Sequence, residues 1–253
     1  DTKRILKRSE SNEYEEIYKF LKMKNLKVRA AAADQNEEKY VLTVDTLNGL
    51  QKFELFDMIC QTCPADELQR SLWIRADNAA SWILKRRRFC TSSGVMSIVG
   101  YTIGLGDRHP SNIMQHNKTG QIIHIDFGDS FEKTLYRERF PEKVPFRLTR
   151  EIANALDSVG IDGLFREACE QIESLLRDEK LAILGQLEIF SHEHLEIDEN
   201  YLERISDKLS GKDEFFFETD EELSVKDQVG RLIEIAGDPE LYVTHYSGWC
   251  PFW

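Results

Sequence analysis

The sequence lacks any apolar run near the roughly 20 residues that a helix needs to cross a bilayer. Its N-terminus, Asp1-Thr2-Lys3-Arg4, is charged and has no secretory apolar segment, so secretion is not indicated. Cysteine is scarce, and its odd count of five does not suit a disulfide framework. These absences favour a reducing setting, cytoplasmic or nuclear. The chain also starts without methionine, and we expect it to be a segment of a longer protein.

Charge is unevenly distributed along the chain. Hydrophobic residues make up 41% and charged residues 31% of the 253 residues, as in globular domains. Residues 1–150 carry 25 Lys and Arg against 20 Asp and Glu, whereas residues 151–253 carry 8 against 25. Nucleic acid is therefore not expected as a partner, because phosphate binding needs positive surface. We interpret the run Arg86-Arg87-Arg88 as a solvated helix end.

Most of the chain has the apolar periodicity of helices. Cys60 and Cys63 form a Cys-x-x-Cys pair without a second pair to complete a zinc site, so we interpret them as small residues at a helix end. The stretch 94–103 is apolar all round and predicts a buried helix. The other predicted helices lie near residues 13–21, 46–59, 68–103 in two pieces, 150–159, 162–191 with a break, 197–210 and 224–236.

A change of character follows residue 103. Residues 104–112 contain Gly, Asp, Pro and Asn and predict a loop, and 117–120 predict a turn. Residues 121–126 then have the composition of a strand. The sequence therefore predicts a small hairpin over about 103–126 with a polar loop beside one end.

The polar residues of this hairpin have the spacing of a phosphotransferase site. Asp107 and Asn112 are five residues apart, and Asp126 opens an Asp-Phe-Gly motif. Phosphoryl transfer from ATP needs an amide and a carboxylate on the metal ions and a group that orients the attacking hydroxyl. Each residue alone would be read as a turn former, but the three together indicate a catalytic site. We interpret His124, between two isoleucines, as structural.

Three motifs carry a family resemblance. They are G-L-G-D-R-H-P-S-N-I-M at 104–114, H-I-D-F-G-D-S-F-E at 124–132 and F-P-E-K-V-P-F-R-L-T-R at 140–150. The chain resembles the phosphatidylinositol-3-kinase-related protein kinases, densely over 94–180 and 220–253. Within them it is most similar to the target-of-rapamycin kinases, because its tail ends in G-W-C-P-F-W. The implied fold is mainly α with a small β hairpin, the C-terminal lobe of a protein-kinase-like fold.

The resemblance implies a division of the chain and a role for each site residue. Residues 1–218 match the kinase lobe, with the catalytic loop at 104–114 and the activation loop at 126–150, and residues 219–253 match the FATC element. The implied activity is transfer of the ATP γ-phosphoryl group to Ser or Thr of proteins in growth or nutrient signalling. The implied roles are catalysis by Asp107 and His109, binding of Mg²⁺ (or Mn²⁺) by Asn112 and Asp126, and contact with the ATP adenine by Met114 and Ile125.

Three features depart from the family pattern. No glycine-rich G-x-G-x-x-G and no V-A-I-K-like strand is present, so the N-lobe is absent from this chain and the chain alone should be inactive. In the tail, only Cys250 stands where many relatives pair two cysteines, which argues against a redox disulfide. The link between about 191 and 200 is short where relatives often carry a regulatory insert.

The implied partners are protein substrates and two subunits of a target-of-rapamycin complex. A β-propeller subunit would bind the stretch following residue 8, and a scaffold subunit would complete the complex. The implied location is cytoplasmic, with endomembrane surfaces and the nucleus as alternatives. Peripheral membrane association is kept as an alternative for the tail.

Two alternative functions remain open. A phosphoinositide kinase would need clustered basic residues in the activation loop to bind an anionic head group. Here the stretch 129–143 is neutral, which favours a protein substrate. Its basic residues Lys133, Arg137, Arg139 and Lys143 are interleaved with acidic Asp129, Glu132, Glu138 and Glu142. A non-catalytic scaffold homologue would not need Asp107, Asn112 and Asp126 together.

The aromatic tail must be buried somewhere. Residues 241–253 contain five tyrosine, tryptophan and phenylalanine rings, a density that water does not favour on a surface. Packing on the kinase lobe near the activation loop and insertion into a membrane surface are both possible. The preceding helix is acidic and would be repelled by anionic lipid, so we predict packing on the lobe.

Overall fold

The computed structural model describes residues 15–24, 44–193, 200–217 and 221–253. The expectations for the stretch following residue 8 and for the 191–200 link fall largely outside these ranges. Within the described residues no helix is both long and apolar enough to cross a membrane.

In the part of the chain that the structure describes, the fold is mainly helical with one two-stranded sheet, as the sequence predicts. Residues 15–23 are helical. Short 3₁₀ turns occur at Pro110–Asn112, Gly160–Asp162 and Ser247–Trp249. The strands are β1 (Ile113–Gln115) and β2 (Ile122–His124). The other helices are α1 (Gly49–Thr62), α2 (Glu67–Ile74), α3 (Ala79–Thr102), α4 (Arg150–Ala155), α5 (Leu164–Asp178), α6 (Lys180–Glu193), α7 (Asn200–Lys208), α8 (Val225–Gly237) and α9 (Pro239–Tyr242).

Side-chain caps decide where α1 and α3 begin. Asn48 accepts a hydrogen bond from the Gln51 N–H, and the Gln51 side chain accepts one from the Asn48 N–H. This reciprocal pair satisfies two backbone donors at the helix start. Helix α1 therefore begins at Gly49, about three residues after the predicted start at 46. Asn78 caps α3 in the same way through Ser81.

Helix α3 is the centre of the main hydrophobic core. Its buried face carries Phe89, Ile98 and Tyr101 among small residues such as Ser93 and Ser97. Small side chains let α5 approach closely, and α5 and α8 both contribute to the same core. The 94–103 stretch is therefore a buried helical segment, as predicted. The Arg86-Arg87-Arg88 run, however, lies inside α3 and not at its end.

The hairpin lies against α3. Strands β1 and β2 are antiparallel, with Ile113 opposite His124 and Met114 opposite Ile123. The backbone N–H of Ile122 donates to the Ser92 hydroxyl of α3 at 2.9 Å, which ties β2 to the helix. The predicted hairpin is thus present, and the 104–112 loop leads directly into its first strand.

The aromatic tail packs on the lobe, which confirms the prediction. Trp249, Phe252 and Trp253 are all at least nine-tenths buried. Buried Arg147, from the predicted activation loop, donates to the backbone carbonyls of Trp249, Cys250 and Trp253 at 2.5–2.7 Å. Its guanidinium also lies 4.3 Å from the centre of the Trp249 ring. Arg147 therefore attaches the tail to the segment that follows the hairpin.

Candidate functional site

A buried arginine holds the two ends of the site together. Arg108 donates to the carbonyl oxygens of Gly106, Ile125 and Asp126 at 2.8, 2.8 and 2.6 Å. Burial lowers the pKa of its guanidinium, while nearby acidic groups, Glu142 first among them, oppose that shift. Arg108 thus fixes the 104–112 loop against the end of β2, where Asp126 begins the Asp-Phe-Gly motif.

The backbone of Asp107 is held in an uncommon conformation. Its φ is +57°, in the left-handed region that a residue with a side chain seldom adopts. Its N–H donates to both carboxylate oxygens of Glu142 at 2.8 and 2.9 Å. Its carbonyl oxygen accepts from the Asn112 side-chain amide at 3.0 Å. Hydrogen bonds on both sides offset the backbone strain and fix the direction of the Asp107 side chain.

Three other side chains surround the Asp107 carboxylate. The Tyr246 hydroxyl from the tail donates to Oδ1 at 2.9 Å. His109 Nε2 lies 3.6 Å from Oδ2. The Arg137 guanidinium lies 4.0 Å from Oδ1 and pairs with Asp129 at 2.8 Å. Asp107 and His109 are therefore brought together, as the resemblance implies, and Oδ2 faces the histidine.

The environment of His109 sets the position of its proton. Its Nδ1 accepts a hydrogen bond from the Ser111 N–H at 3.2 Å and caps the 3₁₀ turn. In the neutral ring the proton is then on Nε2, the nitrogen next to Asp107. His109 can consequently donate a hydrogen bond toward the space in front of the Asp107 carboxylate.

Asn112 and Asp126, the two residues expected to bind a metal, lie on adjoining segments of the backbone. The Ile125 N–H donates to the Asn112 carbonyl at 3.0 Å, which joins the two segments. The Asn112 amide nitrogen is engaged with Asp107, which leaves its side-chain oxygen as the candidate ligand atom. Asp126 is exposed and accepts from the Gly128 N–H at 3.3 Å.

This donor set fits Mg²⁺ bound together with nucleotide. Mg²⁺ commonly uses one or two protein carboxylates, with substrate phosphates supplying further oxygens. Among the residues that the structure describes, no group of three or more His, Cys, Asp and Glu side chains is placed to hold a metal. Asn112 and Asp126 would supply two protein oxygens, which suits a metal that also binds phosphate.

An apolar surface flanks the polar groups. Met114 and Ile123 face each other across the hairpin, and they are 52% and 43% exposed. Ile125 and Phe127 continue the surface toward Asp126 and are 38% and 54% exposed. Four adjoining exposed apolar side chains suit contact with a flat ring or an apolar protein face.

The activation segment is attached to the loop by its backbone and by buried charges. The Gly106 N–H donates to the Asp129 carbonyl at 3.0 Å, and a Cβ on Gly106 would lie 1.8 Å from the Thr134 hydroxyl oxygen. Buried Glu132 pairs with Arg204 and Lys208 of α7 at 2.8 and 2.6 Å. Burial opposes ionisation of Glu132, but hydrogen bonds from these two cations lower its pKa.

Glu142, Tyr246 and Arg108 are the site residues that sequence reasoning missed. Burial raises the pKa of Glu142 to about 7, and the Asp107 N–H partly offsets this effect. The sequence offers no signal for Glu142, because it stands beside Lys143 in a segment of mixed charge. For Tyr246 the sequence offers none, because 139 residues separate it from Asp107.

Comparisons with known proteins identify the family of this chain. The profile of the phosphatidylinositol 3- and 4-kinase family matches residues 3–196, and the FATC domain profile matches residues 222–253. The chain is 36% identical over 261 residues to serine/threonine-protein kinase TOR2 of Saccharomyces cerevisiae, covering 83% of this chain and 10% of that protein. It is 44% identical over 144 residues to serine/threonine-protein kinase Smg1 of Drosophila melanogaster, covering 56% and 4%.

A solved structure shares the fold. The FAT and kinase domain of CtTel1 superposes with a TM-score of 0.72 at 28% identity, covering 84% of this chain and 15% of that chain. The chain spans about a tenth of the length of the TOR2 relative. It belongs to the phosphatidylinositol 3- and 4-kinase family, in the branch of phosphatidylinositol-3-kinase-related protein kinases, and its kinase region is followed by a FATC domain.

Proposed function

We propose that this chain is the C-terminal lobe of a Ser/Thr protein kinase that transfers the γ-phosphoryl group of ATP. The observation that carries the proposal is the convergence of Asp107, His109 and Asn112 on one loop whose end is tied to Asp126 by Arg108. We place the kinase lobe at 1–218 and the FATC element at 219–253. The phosphate-binding lysine and the glycine-rich cover would come from an N-lobe outside this sequence.

In this proposal Asp107 and His109 act on the attacking hydroxyl. Asp107 Oδ2 accepts the hydrogen bond of the substrate hydroxyl and orients its oxygen toward the phosphorus. His109 Nε2–H, 3.6 Å from the same oxygen, donates to the oxygens on which charge develops. Because the Asp107 backbone is held by Glu142 and Asn112, little rearrangement is needed when substrate binds.

Asn112 and Asp126 would hold Mg²⁺, with Mn²⁺ as a substitute. The metal, when bound, neutralises phosphate charge. Met114 and Ile125 would contact the adenine through the exposed apolar surface beside the hairpin.

Charge pairing in the activation segment favours a protein substrate over a phosphoinositide. Arg137 is paired with Asp129, so its charge is partly neutralised. Glu132 is buried and paired with α7. Exposed Lys133, Arg139 and Lys143 are interleaved with acidic residues and are not clustered, whereas an anionic head group needs clustered cations. The similarity to TOR2 supports a role in growth or nutrient signalling, although Smg1 is similar over a shorter stretch.

The test uses the longer polypeptide that includes the N-lobe. Asp126→Ala should abolish phosphoryl transfer, because it removes the carboxylate that holds Mg²⁺ against the phosphates. Asp107→Ala should lower kcat by about 10²-fold or more at unchanged nucleotide affinity, since it removes the group that positions the hydroxyl. Single-turnover kinetics with an ATP-binding assay separates the two effects.

The matched control is Asp178→Ala, which removes an exposed carboxylate at the end of α5 and should leave kcat unchanged. Near-normal kcat in Asp107→Ala would contradict its assigned role. The isolated 253-residue chain should bind no protein substrate productively and show no transfer.

A further inference from the structure

The C-terminal tail is joined to the candidate catalytic loop by a side-chain hydrogen bond. Tyr246 donates its hydroxyl hydrogen to Asp107 Oδ1 at 2.9 Å, across 139 residues of sequence. Burial and this hydrogen bond raise the pKa of Tyr246, so the phenol stays protonated and remains a donor. Oδ2, the other carboxylate oxygen, is left toward His109.

Neighbouring tail residues hold the Tyr246 ring in place. A Cβ on Gly248 would lie 2.6 Å from ring carbon Cε2 of Tyr246, so the absence of a side chain there gives the ring its space. The Ser247 N–H donates to the Asp45 carboxylate at 2.7 Å, which fixes the backbone next to the ring. Trp249, two residues further, is buried and bound through its carbonyl by Arg147.

We propose that Tyr246 is a positioning residue for phosphoryl transfer: its hydroxyl holds Asp107 Oδ1 so that Oδ2 is directed to the substrate hydroxyl. The inference rests on the proposed function, since it gives Asp107 the role of orienting that hydroxyl. It also gives the tail a specific part in turnover besides its packing. A carboxylate with one oxygen fixed has fewer orientations, and the reactive orientation is then more populated.

The decisive variant is Tyr246→Phe in the intact kinase, which removes one oxygen atom and keeps the ring. We expect kcat to fall about ten-fold, the size expected for a hydrogen bond to a charged group, with KM for ATP unchanged. Tyr242→Phe is the matched control: its ring packs on Phe56 and Trp249 in the same tail, and it should leave kcat unchanged.

A double-mutant cycle tests whether Tyr246 acts through Asp107. In an Asp107→Ala background, Tyr246→Phe should have no further effect, since the partner is gone. Gly248→Ala, which retains the hydroxyl but displaces the ring, should lower kcat in the same direction as Tyr246→Phe.

The outcomes distinguish the two proposals. If Asp107→Ala is inactive while Tyr246→Phe equals wild type, the positioning role is wrong and the proposed function stands. A higher kcat in Tyr246→Phe would show that the hydroxyl blocks the carboxylate, which also overturns the inference. A near-normal Asp107→Ala would instead refute the assigned role of Asp107 in the proposed function.

Discussion

At the scale of single residues, the site depends on a buried carboxylate that no substrate needs to touch. Glu142 is 5% exposed, and its two oxygens accept the same N–H, that of Asp107. Replacing it with an apolar residue would leave that donor without its acceptor at a position of positive φ. Glu142 therefore stabilises the shape of the loop that carries Asp107.

Protonation of Glu142 gives a testable pH dependence. Its pKa is raised from 4.5 to about 7, so the folded state binds more protons than the unfolded state between these values. The contribution of Glu142 to the free energy of unfolding is fully present below pH 4.5 and is lost as pH rises through 7. Glu142→Gln keeps an acceptor oxygen but does not titrate. We expect the free energy of unfolding of this variant to vary with pH by about 1–3 kcal/mol less than that of the wild type.

The measurement is the melting temperature of wild type and variant across pH 4.5–7.5. Buried His245 has the opposite dependence, because burial lowers its pKa to about 4 and its contribution is lost as pH falls below 6.5. The wild-type profile alone therefore mixes both trends, and the difference between the two proteins is the quantity to compare. Parallel profiles would refute a titrating Glu142.

At the scale of elements, the catalytic loop and the activation segment fit only because Gly106 lacks a side chain. A Cβ there would overlap Thr134, with 1.8 Å to Oγ1 and 2.6 Å to Cβ of the threonine. Gly106→Ala must therefore displace the loop, and a shift of about 1 Å at an active site can lower kcat about 10²-fold. The control is Gly185→Ala in α6, where a Cβ meets no atom within 4 Å. Steady-state kinetics of both variants tests this prediction. Full activity of Gly106→Ala would contradict the tight fit between the loop and Thr134.

Sequence periodicity predicted the elements well and their limits less well. The hairpin was predictable because a turn and an Asp-Phe-Gly motif frame a short apolar run. The start of α1 was misplaced because the Asn48 and Gln51 cap decides it, and periodicity carries no information on caps. The Arg86 run is inside α3 because the helix continues to Thr102. The Arg86 guanidinium donates to the Leu156 carbonyl at 2.6 Å, a tertiary contact that local sequence does not reveal.

At the scale of the whole molecule, the tail closes two parts of the core. Trp253 lies in the cluster around α3, whereas Trp249 and Phe252 lie in the cluster formed with α1 and residues 15–23. Deleting residues 246–253 removes these three buried rings, each contributing about 1.5–3 kcal/mol. We expect the melting temperature and the activity to fall together.

The control for the tail deletion is Leu181→Ala, which truncates a side chain that is 86% exposed. Thermal melting, kinase assays and cell fractionation of the same proteins make the comparison. A truncated kinase that kept its stability and activity but left membranes would favour a membrane-anchoring tail instead.

The sequence predicted the site residues that lie within one hairpin but not those that support them. Asp107, Asn112 and Asp126 share one local segment, so their spacing alone indicated the chemistry. Tyr246 and Arg147 act across about 100 residues or more, and only the folded chain shows these contacts. Long-range contacts of this kind depend on packing, which single-sequence patterns do not encode.

The position of Trp253 in the α3 core has a consequence during protein synthesis. Helix α3 leaves the ribosome about 150 residues before Trp253, and α8 also follows it by more than 120 residues. At a synthesis rate of about 5–20 residues per second, the apolar face of α3 stays uncovered for several seconds or longer before the segments that pack on it are made. The nascent lobe is then open to aggregation, so its yield in cells should depend on chaperones that bind emerging chains.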